Sequence, residues 1–548
     1  MNPLVFVIVA AVVTVVLIPV LERRALALRV MDEPGGRKLH ERPVPRVGGI
    51  AMAIGAALPL LLWMPLEPPL AALLAAALVV LCFGVVDDRV SLRPSVKFLG
   101  QCIGVAIAMT AGGVLIESTT LQERHELPAL VAWPLTFFFL VGTTNAINLA
   151  DGLDGLAGGT TFLCIAAVAA LSVSVDPLVT AVALALLGSL LGFLRFNSYP
   201  ARVFMGDGGS QLLGFLAGVL AIRLTQAEAS PYSAALPLLL LGLPIIDTLT
   251  VMALRIREGR SPFAADRKHL HHRLLELGFD HFEAVAIIYL LQCVLFVLAW
   301  QMRFQSDPMV VAVFLACGGA VLLAVFAGVR SGWQWRGLGG LRLAGVVAQR
   351  VPWLKAPAHL PRWGNAIVWV LLTVYLAAIA LTATNISPDV AWLSLALAGL
   401  LFTALLGLVP MRVMGGLVHG AVFVALAVAV YLDHVELARI PLLRDLKLVL
   451  FPALALAVVI RLRFWRERRF QMTPLDVLVV FLAIVLPNLP GLQGTPSNLG
   501  FSVAKLVVLM YAAELLVRHT ERTRSWLWTS AAFALLAVGL RGLGTGAG

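Results

Sequence analysis

Runs of apolar residues recur roughly eighteen times along this chain, each about 17–25 residues long, enough to cross about 30 Å of hydrocarbon as a helix. Inside lipid a backbone has no water to bond, so each run must satisfy its own N–H and C=O groups, and a helix does this within one segment. The fold class that follows is all-α: a polytopic integral membrane protein with about 18 transmembrane helices. Composition agrees, with 60% hydrophobic and 13% charged residues among 548 and a mean hydropathy of +0.93. Soluble domains carry about 25% charged residues.

The first run, residues 3–21, has no basic residue before it and Glu22-Arg23-Arg24 after it. That is the reverse of a signal peptide, so a retained span with its amino end outside is expected. Alternate crossings then place loops 22–47, 87–97, 195–206, 255–281, 329–364, 410–414, 461–473 and 518–525 in the cytoplasm, with 33 of the chain's 41 Lys and Arg. This is the positive-inside bias. It accounts for most of the net charge of +11 and for attraction to anionic membrane lipids; the remainder helps gather an anionic substrate. No nucleic-acid partner is expected, since there is no basic soluble domain or aromatic-studded groove. Cys82, Cys102, Cys164, Cys293 and Cys317 lie in apolar runs without paired spacing, which reads as small core residues rather than a disulfide framework or a zinc site.

Three regions are expected: 1–329 as a membrane-embedded domain of about 11 spans, 330–364 as a cytoplasmic linker rich in Gly, Pro, Trp and Arg, and 365–548 as a C-terminal membrane domain of about 7 spans. The last carries no cytoplasmic cluster of carboxylates or histidines, and a packing or anchoring module is the plain reading.

Four polar islands interrupt the first region: Asp87-Asp88, Asn145 to Asp154, Asn197 to Asp207, and Asp266 to Arg273. Ionisable side chains at a membrane edge are costly, so the chemistry is expected there. Adjacent carboxylates at a helix C-terminus oppose its dipole and repel each other. Asp87 and Asp88 therefore call for a divalent ion, a general-base role, or neutralisation by Arg89 and Arg93. Asn145, Asn148, Asp151 and Asp154 recur every three residues, which on a helical path puts them on one face towards one ligand. Gly152, Gly155, Gly158 and Gly159 allow close approach of a phosphate. Such hard oxygen donors suit Mg²⁺, which takes one or two carboxylates and leaves other positions to water and substrate phosphate; a helix cap with solvated acids is the alternative. Asp207, between Gly206 and Gly208 before an apolar run, reads as an N-cap or, given its sidedness, as a metal ligand. His269, His271 and His272 interleave with Arg267, Lys268 and Arg273, good donors to anionic phosphate oxygens and poor partners for a soft cation. A zinc site and a solvated loop are the competing readings. Together the islands fit phosphoryl or pyrophosphoryl transfer, which works by in-line positioning and charge neutralisation.

Six ordered motifs over residues 1 to about 300 carry a resemblance: Asp32 to His40 with Pro43, Pro45 and Gly48-Gly49; Asp87-Asp88 followed by Leu92, Pro94, Lys97 and Gln101; Asn145 to Gly155; Asn197 to Ser210; Pro244-Ile245-Ile246-Asp247-Thr248; and the histidine loop. The chain resembles the polyprenyl-phosphate N-acetylhexosamine-1-phosphate transferases, and the His-Leu-His-His-Arg form looks like the branch using UDP-N-acetylglucosamine. The branch that moves phospho-N-acetylmuramoyl-pentapeptide has three consecutive histidines, and another UDP-N-acetylhexosamine is a further alternative. The resemblance implies transfer of a sugar 1-phosphate to undecaprenyl phosphate with release of UMP, dependent on Mg²⁺ or in its place Mn²⁺. It implies catalytic positions at Asp87, Asp88, Lys97, Asp151 and Asp154, and metal ligation by Asp207 with Asp151 and Asp154. Substrate contacts would come from Asn148, Asn197, Phe204, His269, His271, His272 and Arg273. It implies an enzyme of the inner (plasma) membrane with its site on the cytoplasmic face, priming a cell-envelope polysaccharide such as the O-antigen of lipopolysaccharide. A lipid phosphate is already a competent nucleophile near neutral pH, which favours direct attack over a covalent intermediate on Asp87. The resemblance does not reach residues 330–548, for which homodimer formation, docking of later glycosyltransferases or an unrelated activity stay open. The competing class is a transporter or flippase, whose acids should lie near the bilayer midplane rather than on one face.

Overall fold

The structure, a computed structural model, describes residues 4–28, 30–32, 43–261, 268–335, 360–383, 386–408, 411–436, 449–458, 499–519 and 521–545. Most of the Asp32 to His40 motif, Asp266 and Arg267, most of the 330–364 linker and the marginal apolar run at 473–490 lie outside the described residues. Two compact units are present, one up to Trp335 and one from Leu360 onward.

The first unit contains helices α1 (Leu4–Leu28), α2 (Gly48–Trp63), α3 (Pro68–Val90), α4 (Pro94–Thr110), α5 (Ala129–Ala150), α6 (Leu156–Ser172), α7 (Pro177–Asn197) and α8 (Gly206–Gln226). These are followed by the short α9 (Pro237–Leu240), then α10 (Gly242–Arg257), α11 (Leu270–Glu276), α12 (His281–Met302) and α13 (Asp307–Arg330). Helix starts follow local chemistry. Pro68, Pro94 and Pro177 stand at first-turn positions, where the missing N–H costs nothing. Asp176 caps α7 by accepting from the amides of Leu178 and Val179 at 2.8 and 3.2 Å. At the other end of α3, Ser91 takes a left-handed φ of 51°, and its N–H returns to the Asp87 carbonyl, closing the helix just after the two aspartates.

Helix α8 is the axis of this unit. It is buried along nearly its whole length and packs against α3, α5, α2 and α6, while α1 packs on α2 and α7. Without water to drive association, membrane helices approach through small residues. A Cβ on Gly49 would lie 2.4 Å from the Gly209 amide nitrogen, and one on Gly84 would lie 2.4 Å from Gly208 Cα. These glycines bring α2 and α3 against the first turn of α8, which carries Asp207.

Two antiparallel ribbons modify the all-α expectation: β1 (Met31–Asp32) pairs with β2 (Val44–Pro45), and β3 (Ser118–Thr120) with β4 (Arg124–Glu126). Both lie outside the apolar runs. Among the described residues ten helices are long and apolar enough to cross a membrane, fewer than the expected eighteen. α2, α4 and α6 are apolar but only 16, 17 and 17 residues long, and at about 1.5 Å per residue each falls short of 30 Å.

In the second unit the long helices are α14 (Leu360–Thr382), α15 (Pro388–Leu405), α16 (Met411–Glu436), α17 (Leu499–His519) and α18 (Glu521–Thr545). The Asp433 carboxylate, 6% exposed, accepts from Lys505 Nζ at 2.6 Å and from the Tyr375 hydroxyl at 3.3 Å, which ties three helices together.

Candidate active site

The C-terminal ends of α3, α5 and α7 meet the N-terminal ends of α2, α4, α6 and α8 at one end of the first unit, and the polar islands meet with them. Asp87 and Asp88 end α3 and are 3% and 8% exposed. Asp88 Oδ1 accepts from the Asp207 amide at 2.9 Å and its Oδ2 from the Gly208 amide at 3.1 Å. A carboxylate from one helix thus satisfies the orphan donors that open another. Arg46 reaches Asp88 at 3.4 Å and also pairs with Asp32, which β1 and β2 bring beside it. With both oxygens held, Asp88 positions α8 rather than facing the cleft.

Asp87 accepts from the Leu92 amide at 2.7 Å through Oδ1 and pairs with the Lys97 ammonium through Oδ2. The same ammonium stands 3.1 Å from Asp207 Oδ2. Lys97 therefore bridges the buried carboxylate that closes α3 and the one that opens α8; the Lys97 and Asp207 side chains are each about a third open to solvent. The electrostatic cost of two acids at a helix C-terminus is met by Lys97, Arg46 and the amides of α8. Beneath them, Gln101 donates to Gln211 at 3.0 Å and Asn145 donates to Gln101 at 2.8 Å, locking α4, α5 and α8.

The second island does not form the single ligand-facing surface expected of it. α5 ends at Ala150, so the three-residue register stops before the two aspartates. Asn145 turns to Gln101, and Asn148 accepts from the Ser210 hydroxyl at 2.6 Å. Asp154 accepts from the Ala201 amide at 2.8 Å. Asn197, 3% exposed, accepts from the Gly155 amide and donates to the Val203 carbonyl, both at 3.0 Å, binding the two glycine-rich turns to each other. Phe204 is bolted by its main chain, donating to the Pro45 carbonyl and accepting from the Gly48 amide. Asp151 opens to solvent. The protein crowded around it, then the charges of Asp207, Asp88 and Asp154, lift its pKa to about 7; with the side chain open, the neighbouring carboxylates are the more durable cause.

The histidine loop divides in two. His269 Nδ1 lies 2.9 Å from Asp247 Oδ2, and Asp247 Oδ1 accepts from the Leu270 amide at 2.7 Å. His271 is 3% exposed and lies so close on Gly152 that a Cβ there would be 2.2 Å from its Nε2. Among the described residues that Nε2 has no hydrogen-bond partner. Burial, then His272, His269 and His281, pushes the His271 pKa down to about 3, so the ring is neutral. His272 and Arg273 remain partly open; Arg273 Nε donates to the Lys268 carbonyl at 3.0 Å and its guanidinium lies 4.3 Å over the Phe326 ring. His269, His271, His272 and Arg273, expected to hold a pyrophosphate, are not placed alike, because α11 turns Leu270, His271 and Leu274 inward. The sequence pattern does not single out Arg46, Gln211 or Tyr289, whose hydroxyl donates to the Gly155 carbonyl at 2.5 Å. Each acts through a residue far away in the chain, which no local pattern records.

Among the described residues Asp32, Asp87, Asp88, Asp151, Asp154 and Asp207 gather near one another, with Arg46 and Lys97 pairing to four of them. That surplus of negative charge suits a divalent cation. Among the described residues no three His, Cys, Asp or Glu side chains converge on one point, so Asp207, Asp151 and Asp154 do not assemble as a three-ligand set. Asp154 is held away by Ala201. The donors that do adjoin are Asp87 and Asp207, a pair of hard carboxylates of the kind Mg²⁺ takes when water and substrate phosphate complete its shell.

Residues 70–225 match the family model described as glycosyl transferase family 4. The chain is 36% identical over 289 residues to the probable undecaprenyl-phosphate N-acetylglucosaminyl 1-phosphate transferase of Bacillus subtilis (strain 168), covering 52% of this chain and 80% of the relative. It is 34% identical over 305 residues to the decaprenyl-phosphate N-acetylglucosaminephosphotransferase of Mycolicibacterium smegmatis, covering 49% and 74%. With the undecaprenyl-phosphate alpha-N-acetylglucosaminyl 1-phosphate transferase of Escherichia coli (strain K12) it shares 28% over 296 residues, covering 52% and 81%. An ordered set of motifs closed into one site, with relatives matched over most of their length, makes this chain a member of the polyprenyl-phosphate N-acetylhexosamine-1-phosphate transferase family.

Proposed function

We propose that this protein transfers N-acetylglucosamine 1-phosphate from UDP-N-acetylglucosamine to undecaprenyl phosphate, releasing UMP at the cytoplasmic face of the inner membrane and priming a cell-envelope polysaccharide. An oxygen of the lipid phosphate forms a bond to the sugar-bearing phosphorus while the bond from that phosphorus to the UMP oxygen breaks. The observation that carries the reading is Lys97 between Asp87 and Asp207: one cation set between two carboxylates at the mouth of a membrane bundle, where two phosphates have to be brought together. A lipid phosphate is already a competent nucleophile near neutral pH, which supports direct attack over a covalent intermediate on Asp87. Mg²⁺, bound through Asp207 and Asp87, would supply neutralisation of charge on the pyrophosphate. Lys97 holds the acceptor phosphate against its own charge repulsion, and His272 and Arg273 orient the donor pyrophosphate.

The test is UMP release by the purified protein in detergent, given undecaprenyl phosphate, Mg²⁺ and a panel of UDP-sugars, beside Asp207→Ala. Release that needs lipid and Mg²⁺, is greatest with UDP-N-acetylglucosamine and is lost in Asp207→Ala supports the assignment. Release with no donor in the panel would overturn it.

A further inference from the structure

Asp247 stands inside the apolar α10, 22 residues before His269. An ionisable residue among apolar ones needs a reason to be there. Its two oxygens go to two consecutive residues of the loop: Oδ2 to His269 Nδ1 at 2.9 Å and Oδ1 to the Leu270 amide at 2.7 Å. A carboxylate only accepts, so the His269 proton sits on Nδ1, which leaves Nε2 as the acceptor nitrogen of the ring. The ring is 4% exposed and stacks at 10° and 6.0 Å on His271, which in turn lies on Gly152 beside Asp151. A rigid line thus runs from Asp247 through two parallel imidazoles to the turn that carries Asp151.

We propose that Asp247 is a positioning residue for the transfer reaction, acting through His269 by fixing its tautomer and orientation. The inference rests on the sugar-nucleotide reading of the site. Asp247→Asn separates this role from simple loop anchoring. The Asn carbonyl still accepts from the Leu270 amide, but its NH₂ faces His269 Nδ1 as a donor and drives the ring proton to Nε2. In the trypsin-type triad the same exchange preserves geometry while supplying the wrong tautomer, and at metal sites the outer groups that orient a ligating histidine are worth about 10–100-fold, a scale carried over here.

Two measurements test it. The first needs no turnover: ¹⁵N spectra of histidine-labelled protein in micelles, with the His269 signal identified from His269→Gln. The expected result is a protonated Nδ1 in the parent and a protonated Nε2 in Asp247→Asn; an unprotonated Nδ1 in the parent, or no exchange in the variant, overturns the proposal. The second is a double-mutant cycle on UMP release. Asp247→Asn is expected to lower kcat/KM by about 10–100-fold in the parent and to have no further effect in a His269→Ala background. An equal loss in both backgrounds, or none in the parent, overturns action through His269. A parent that releases no UMP contradicts the sugar-nucleotide reading instead, and the spectra still decide whether Asp247 sets the tautomer.

Discussion

Lys97 is the residue on which the site's electrostatics turn, because its ammonium faces Asp87 and Asp207 at once. Lys97→Met would leave those carboxylates facing each other in a cleft already rich in negative charge. UMP release is expected to fall by about 10²–10³-fold, the usual cost of removing a preorganised charge from a reacting centre; steady-state kinetics of Lys97→Met beside Lys97→Arg measures it, and a loss below tenfold would show that the bridge is incidental. His271 makes a prediction in pH. Its folded pKa of about 3 lies below the ordinary 6.5, so the unfolded chain takes up a proton that the folded one refuses. Stability is then full above about pH 6.5 and drains as pH falls from there towards 3. By pH 5 the loss amounts to about 2 kcal/mol. His271→Phe should flatten the decline of unfolding temperature between pH 7 and pH 5, and an unchanged decline would mean that the acid sensitivity lies elsewhere. At this scale the sequence was informative where a charge interrupts lipid-like neighbours, as at Asp87 and Asp207. It was silent on what each charge does: the partners of Asp88 stand 119 and 120 residues away, and no spacing rule reaches that far.

At the scale of elements, the contact that matters most is α3 against the first turn of α8. Gly84 and Gly208 let the backbones touch, and Asp88 caps α8 across the gap. Gly84→Ala would force a methyl group into Gly208 Cα, an overpacking expected to cost about 1–3 kcal/mol and to shift Asp207 relative to Lys97. Thermal unfolding and UMP release should therefore fall together in Gly84→Ala. A variant that loses activity at parental stability would instead mark Gly84 as a substrate contact. The helices themselves were readable from hydropathy because their period and length are imposed by lipid. The ribbon that carries Asp32 to Arg46 was not, since strands of two residues contain no period to read. The shared face expected for Asn145, Asn148, Asp151 and Asp154 failed for a related reason: glycines after Ala150 end the helix on which that spacing has meaning.

On the scale of the whole molecule, the matched family accounts for about half the chain, and the second unit has its own internal logic. Asp433, Lys505 and Tyr375 bring three helices to one buried polar contact. Breaking a buried ion pair strands a charge, at a cost of about 3–5 kcal/mol, so Lys505→Met should lower the unfolding temperature of this unit; an unchanged transition would mean that the pair is dispensable to folding. In the first unit a phosphoryl group, and not a sugar alone, is expected to move to the lipid. The most direct test supplies UDP-N-acetylglucosamine labelled with ³²P at the sugar-bearing phosphate and partitions the products between water and butanol. The expected result is lipid-phase label that depends on undecaprenyl phosphate and Mg²⁺ and disappears in Asp207→Ala. Label that stays in water as UDP while the sugar enters the lipid phase would contradict it.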